Sequence, residues 1–188
     1  MERILLQTPL SKKTACSLRC GDNVLISGIL YTARDAAHKR MCDAAARGEK
    51  LPFNPEGAVV YFVGPTPAKP GQAIGSAGPT TSYRMDAYSP ALIKLGLTGM
   101  IGKGKRSAEV IDAMKQYGTV YFGAIGGCGA LLAKCVEKAE VIAYPDLGTE
   151  AVRRLVVRAF PATVVIDTLG NNLYETGRQA YLQSLALH

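Results

Sequence analysis

Four short apolar runs between residues 23 and 126 alternate with helical patterns, and this alternation restricts the fold more than any other feature of the chain. The runs are NVLISGILYTA (23–33), GAVVYFVGP (57–65), TGMIGKG (98–104) and TVYFGAIG (119–126). Each has the length and apolar character of a strand and is bounded by turn-forming residues. Between them lie ARDAAHKRMCDAAARGEK (33–50), MDAYSPALIKLG (85–96) and SAEVIDAMKQYG (107–118). The first is an alanine-rich helix that Gly48 begins to end, and the second tolerates Pro90 only near its first turn or at a kink. The third has a Ser107 cap and a Gly118 stop.

Further along, GALLAKCVEKAE (129–140) is expected to be helical and VIAYPDLG (141–148) a strand. The first half of AVRRLVVRAFPATVVIDTLGNN is ambiguous, whereas ATVVIDT is a strand before a Gly-Asn-Asn turn. The end, LYETGRQAYLQSLALH, fits either a docked or a frayed helix. Strands alternating with helices imply an α/β domain with a largely parallel central sheet flanked by helices. Ligands of such sheets gather where loops leave the carboxyl ends of the strands.

With 188 residues, 48% of them hydrophobic, the chain can bury the core of one domain, taken as residues 1–188. The formal net charge of +7 suits an acidic partner, but the 22 Lys and Arg never form a run of five, which argues against a nucleic-acid arm. MERILLQTPLSKK has too short an apolar run for a signal peptide, and no stretch approaches the ~20 apolar residues that a bilayer needs. The expectation is a soluble, cytoplasmic protein. Cys16, Cys20, Cys42, Cys128 and Cys135 have neither zinc nor redox spacing and are expected to be buried, reduced thiols.

Three polar loops fall at the expected carboxyl ends: TARD (32–35), GPTTSYR (78–84) and GKGKRS (102–107). Arg34 opens a helix, where its charge opposes the positive helix end; either a ligand carboxylate or an acidic neighbour such as Asp35 would relieve this. His38, one turn on, shares its face, and a lone histidine there is more often a surface or satisfied one than a functional one. Arg34, Arg84 and Lys103 on three loops at one sheet end would bind a dianion such as a small dicarboxylate. FGAIGGCGALLA looks like a phosphate cradle, yet it lacks the Gly-Lys-Ser/Thr of a P-loop and the last glycine of G-x-G-x-x-G.

SGILYTARDAAHKR, GPTTSYRMDAYSP, GMIGKGKRS, YFGAIGGCGALLAKCV and YPDLGTEAVRRLVVRAFPATVVIDTLGN, in that order, resemble the β subunit of class I iron-sulfur fumarate hydratases and of L-tartrate dehydratases. The resemblance covers about residues 5–175, leaving 176–188 as a tail. It implies a swivelling β/β/α domain that closes over an active site shared with an α subunit, in an α2β2 assembly. It places a [4Fe-4S] cluster on that α subunit and none of its ligands in this chain. The implied reaction is the dehydration of malate to fumarate, with tartrate to oxaloacetate as the alternative. By residue matching Thr80 is the base, Arg34, Arg84 and Lys103 hold the substrate carboxylates, and Thr81 and Asp35 support them. A threonine hydroxyl accepts a proton only as an alkoxide stabilised by nearby cations, so Thr80 in that role requires Arg34 or Arg84 within reach. A reading of a different class is a non-catalytic small-anion or nucleotide-binding module.

Overall fold

A strand that runs back against its parallel neighbours turns the expected sheet into a closed barrel. The computed structural model describes residues 3–185. In chain order the elements are β1 (Ile4–Gln7), α1 (Lys12–Ser17), β2 (Asn23–Thr32), α2 (Asp35–Ala46), β3 (Val59–Tyr61), α3 (Ser89–Lys94) and β4 (Gly99–Gly102). They continue as α4 (Ala108–Tyr117), β5 (Val120–Gly123), α5 (Gly129–Ala133), β6 (Val136–Ala143), β7 (Val152–Ile166) and α6 (Leu173–Leu185). Short 3-10 turns cover Ser82–Met85 and Pro145–Glu150.

Strands β1 to β5 pair in parallel, as the alternation of strands and helices requires. The remaining pairings correct the expectation of a largely parallel sheet: β7 runs antiparallel to β2, β5 and β6. By joining β5 to β2, β7 closes the sheet β2-β3-β4-β5-β7 on itself.

The alternation along β3 sorts the core into two layers. Val59, Tyr61 and Val63 face a cluster inside the barrel with Ile26, Leu30, Phe122, Phe160 and Val164. Val60 and Phe62 face an outer layer with Met41 of α2, Leu92 of α3 and Met114 of α4. β7 keeps its inward face by a bulge: Ile26 pairs with Phe160 but Gly28 with Val157, so β7 carries the additional residue. Ala159 takes a φ of 49° there, and Leu155, Val157, Phe160, Ala162 and Val164 all remain in the inner cluster.

The expected helix over 129–140 is shortened to α5, and the strand expected over 141–148 begins earlier, at Val136. Its backbone pairs with β7, so cross-strand pairing outweighs the helical preference of alanine and lysine. The same pairing extends the ambiguous segment after residue 150 into the full length of β7. The tail forms α6, and its last three residues, 186–188, lie outside the described ones. Residues 1 and 2 of the proposed non-signal N-terminus lie outside them as well. Gly118 ends α4 at a φ of 75°, its N–H donating to the Met114 carbonyl. Ser107 holds the capping position without a side-chain capping bond; the Asp86 carboxylate accepts its N–H at 2.7 Å instead. The cysteines are free but not buried: Cys16 is exposed and the other four are partly exposed. Among the described residues no helix is long and apolar enough to cross a membrane.

Candidate active site

The carboxyl ends of three adjacent parallel strands bring the predicted residues to one rim of the barrel. β2 leads directly into Ala33, Arg34 and the first turn of α2. The Thr80 N–H donates to the carbonyl of Phe62, just beyond β3, at 2.8 Å. Thr81 bridges in parallel to Lys103, just beyond β4, so the two side chains leave one face. Asp35 joins the first loop to the second: its Oδ2 accepts from Arg84 Nη2 at 2.9 Å, and its Oδ1 lies 4.0 Å from Arg34 Nε.

Glu150, invisible as a site residue in the sequence, reaches the same place from the 3-10 turn before β7. Its Oε1 is 3.1 Å from Arg34 Nη2, and its Oε2 accepts from the Ala36 N–H at 3.4 Å. The negative charge that the helix start demands is therefore supplied by this chain, by Asp35 and Glu150. No linear signal marks Glu150, which is brought in by a chain turn more than a hundred residues away.

Gly64 lies beside this cluster, where a Cβ would sit 2.9 Å from Arg34 Nη1 and push the guanidinium aside. Lys103 lies along Gly126, whose Cβ position is 3.6 Å from Nζ. The Lys103 side chain is exposed and has no ion pair among the described residues. Neither threonine hydroxyl has a hydrogen-bond partner among them. The rim thus offers three cations against two carboxylates, beside two hydroxyls with free bonding capacity.

His38 shares the start of α2 but turns into the core, edge-on to Phe62 at 5.3 Å. Its Nδ1 faces the Arg34 carbonyl at 2.9 Å and so carries the proton of the neutral ring, while the buried Nε2 has no partner. Burial, more than any other cause, lowers its pKa from 6.5 to about 4. Unfolded chain therefore binds a proton that folded chain refuses in this window, and stability falls as pH drops from 6.5 towards 4. The expected loss is roughly 3 kcal/mol, absent above the unfolded pKa. His38→Asn should flatten this slope when urea midpoints are compared at neutral and mildly acidic pH, and an unchanged slope would contradict the assignment.

In the Gly-rich segment around residue 127, one glycine has a packing role. A Cβ at Gly129 would lie 2.5 Å from Ser76 Oγ and 2.8 Å from Gly78 N, so that glycine is needed for close packing against the loop after β3. Nor do the described residues contain a group of three or more His, Cys, Asp or Glu side chains placed to hold a metal. They do not fit an iron-sulfur cluster.

The fold is an α/β barrel domain that collects cations and hydroxyls at the carboxyl ends of its parallel strands. This one belongs to the Fumarase C-terminus family, which matches residues 1–177. A relative of similar length is the "Putative L(+)-tartrate dehydratase subunit beta" of Methanocaldococcus jannaschii, 40% identical over 172 residues that cover 88% of each chain. Fumarate hydratase 2 of Leishmania major is 40% identical over 156 residues, 82% of this chain but 28% of its own length. The aerobic class I fumarate hydratase of Salmonella typhimurium is 39% identical over 152 residues, 80% of this chain and 26% of its own. The chain thus spans about a quarter of the length of these two fumarate hydratases.

Proposed function

We propose that the chain is the β subunit of a hydro-lyase, a class I fumarate hydratase that interconverts (S)-malate and fumarate. Its site is completed by a cluster-bearing α subunit in an α2β2 complex. The supporting observation is the rim itself: Arg34, Arg84, Lys103 and two unbonded hydroxyls at the ends of three adjacent parallel strands. Lys103 and Arg84 hold the two substrate carboxylates, Arg34 adds charge beside them, and Asp35 and Glu150 fix the guanidinium planes. Dehydration breaks a C–H bond beside a carboxylate; its electron pair becomes the new double bond as the hydroxyl leaves.

Thr80 as base requires a guanidinium within reach, and Arg34 and Arg84, each held by a carboxylate of the same rim, are the candidates. We assign proton abstraction to Thr80, with Thr81 and Asp35 in support. L-tartrate dehydration is the second reading, favoured by the match along most of both chains to the archaeal protein.

Anaerobic mixing with the cluster-loaded α partner tests this, following fumarate from malate with L-tartrate in parallel. Activity in the mixture alone is expected, and Arg84→Ala should weaken substrate binding about ten- to a hundredfold, the worth of one charge-assisted contact. A stable complex with an intact cluster that turns over neither acid would defeat the hydro-lyase reading and leave a non-catalytic anion-binding module.

A further inference from the structure

Lys103 has a free side chain on a backbone that is held from three directions. Its N–H donates to Ser82 Oγ at 3.1 Å, and its carbonyl accepts the Ser82 N–H at 2.9 Å. The next residue, Gly104, has its carbonyl on the Tyr121 hydroxyl at 3.0 Å and its N–H on the Tyr174 hydroxyl at 2.9 Å. Ser82 Oγ and the Tyr121 hydroxyl are 2.9 Å apart, and both residues are fully buried.

Counting protons fixes the direction of this chain. The phenolic proton of Tyr121 goes to the Gly104 carbonyl, so the Ser82 hydroxyl must donate to the Tyr121 oxygen while accepting the Lys103 N–H. Burial holds the Tyr121 phenol well above its ordinary pKa, which keeps it a donor. The flanking glycines are shaped to this arrangement: a Cβ on Gly102 would lie 2.0 Å from Ser82 Oγ, and Gly104 has a φ of 87°.

Three hydroxyls from the 3-10 turn after Thr81, from β5 and from α6 thus converge on two residues of backbone. We propose that Ser82, Tyr121 and Tyr174 are positioning residues for Lys103, and that α6 is a strap whose Tyr174 holds the Lys103 loop in its binding geometry. This rests on the reading of Lys103 as a carboxylate-holding residue. It gives the C-terminal helix a part in substrate binding through one hydrogen bond at its first turn. Because Ser82 follows Thr81 directly, the same network also fixes the Thr81 backbone relative to Lys103.

The test is Tyr174→Phe, at a partly exposed position where the ring is kept and one acceptor is lost. In the reconstituted enzyme, with whichever acid the parent turns over, KM should rise about three- to tenfold, with kcat changed less than about twofold and the melting temperature unaltered. In a Lys103→Ala background the same substitution should add nothing, since its effect passes through Lys103. Amide exchange at Gly104, followed by NMR in this chain alone, should accelerate and needs no turnover. Tyr121→Phe, which leaves the Gly104 carbonyl unpaired, should shift KM further in the same direction. A KM raised by Lys103→Ala but untouched by Tyr174→Phe would overturn this inference alone, as would equal effects of Tyr174→Phe in both backgrounds. A KM untouched by Lys103→Ala overturns the role of Lys103 on which it rests.

Discussion

Arg106→Ala is expected to destabilise the chain by about 3–5 kcal/mol, the cost of leaving one half of a buried ion pair without its partner. The Arg106 side chain is fully buried, with Nε donating to Asp86 at 2.7 Å and Nη2 to Ser89 at 2.6 Å. Its guanidinium lies 5.2 Å from the ring centres of both Phe62 and Tyr121. Among the described residues Asp86, once abandoned, would keep the Ser107 N–H as its one donor. For a domain of this size the loss corresponds to a fall in melting temperature on the order of 10 °C. Most of the cost is the orphaned carboxylate, so combining Arg106→Met with Asp86→Asn should recover part of the stability that Arg106→Met alone loses. Calorimetry of these variants decides the matter: a loss below about 1 kcal/mol for Arg106→Ala would mean that the pair is solvated or replaceable.

The largest expected effect on turnover is at Thr80. In the reconstituted enzyme Thr80→Ala should lower kcat by about 10²- to 10⁴-fold, the usual contribution of a positioned base. Thr81→Ala should act mainly on KM, by about tenfold, as the loss of a hydrogen bond to a charged group. Thr80→Ser, which restores a hydroxyl, should recover much of the loss. Equal kcat values for the two alanine variants would refute the division of labour, and a loss of kcat at Thr81 alone would move the proton to that residue. Both variants should fold normally, because neither hydroxyl bonds a described residue.

The candidate site was legible in the sequence as three loops, because strand ends, glycines and polar clusters are local signals. TARD, GPTTSYR and GKGKRS do leave β2, the region after β3, and β4, in the order that parallel pairing dictates. The partners of those residues were not legible. Glu150 takes the place that a ligand carboxylate was invoked to fill beside Arg34, and it comes from a 3-10 turn on the far side of the sequence. His38 has helical spacing from Arg34, and only its burial against Phe62 separates a core histidine from one in the site. Ser82 lies in the GPTTSYR loop with nothing in the sequence to set it apart. Its role appears once Tyr121 and Lys103 are set against it.

The sequence by itself determined the parallel half of the barrel, the stop of α4 at Gly118 and the loops that carry the cations, since each depends on residues within a turn or a few positions of one another. Only the tertiary structure decided the barrel's closure. The segment from 136 to 166 has no decisive period of its own, and its helix or strand choice is made by the hydrogen bonds that the edges of β2 and β5 offer to β7, and β7 to β6. The same holds for the polarity of the site. Whether Arg34 is free or paired, and whether Lys103 is floppy or held, depends on long-range neighbours, and a one-dimensional pattern carries no distance between residues so far apart.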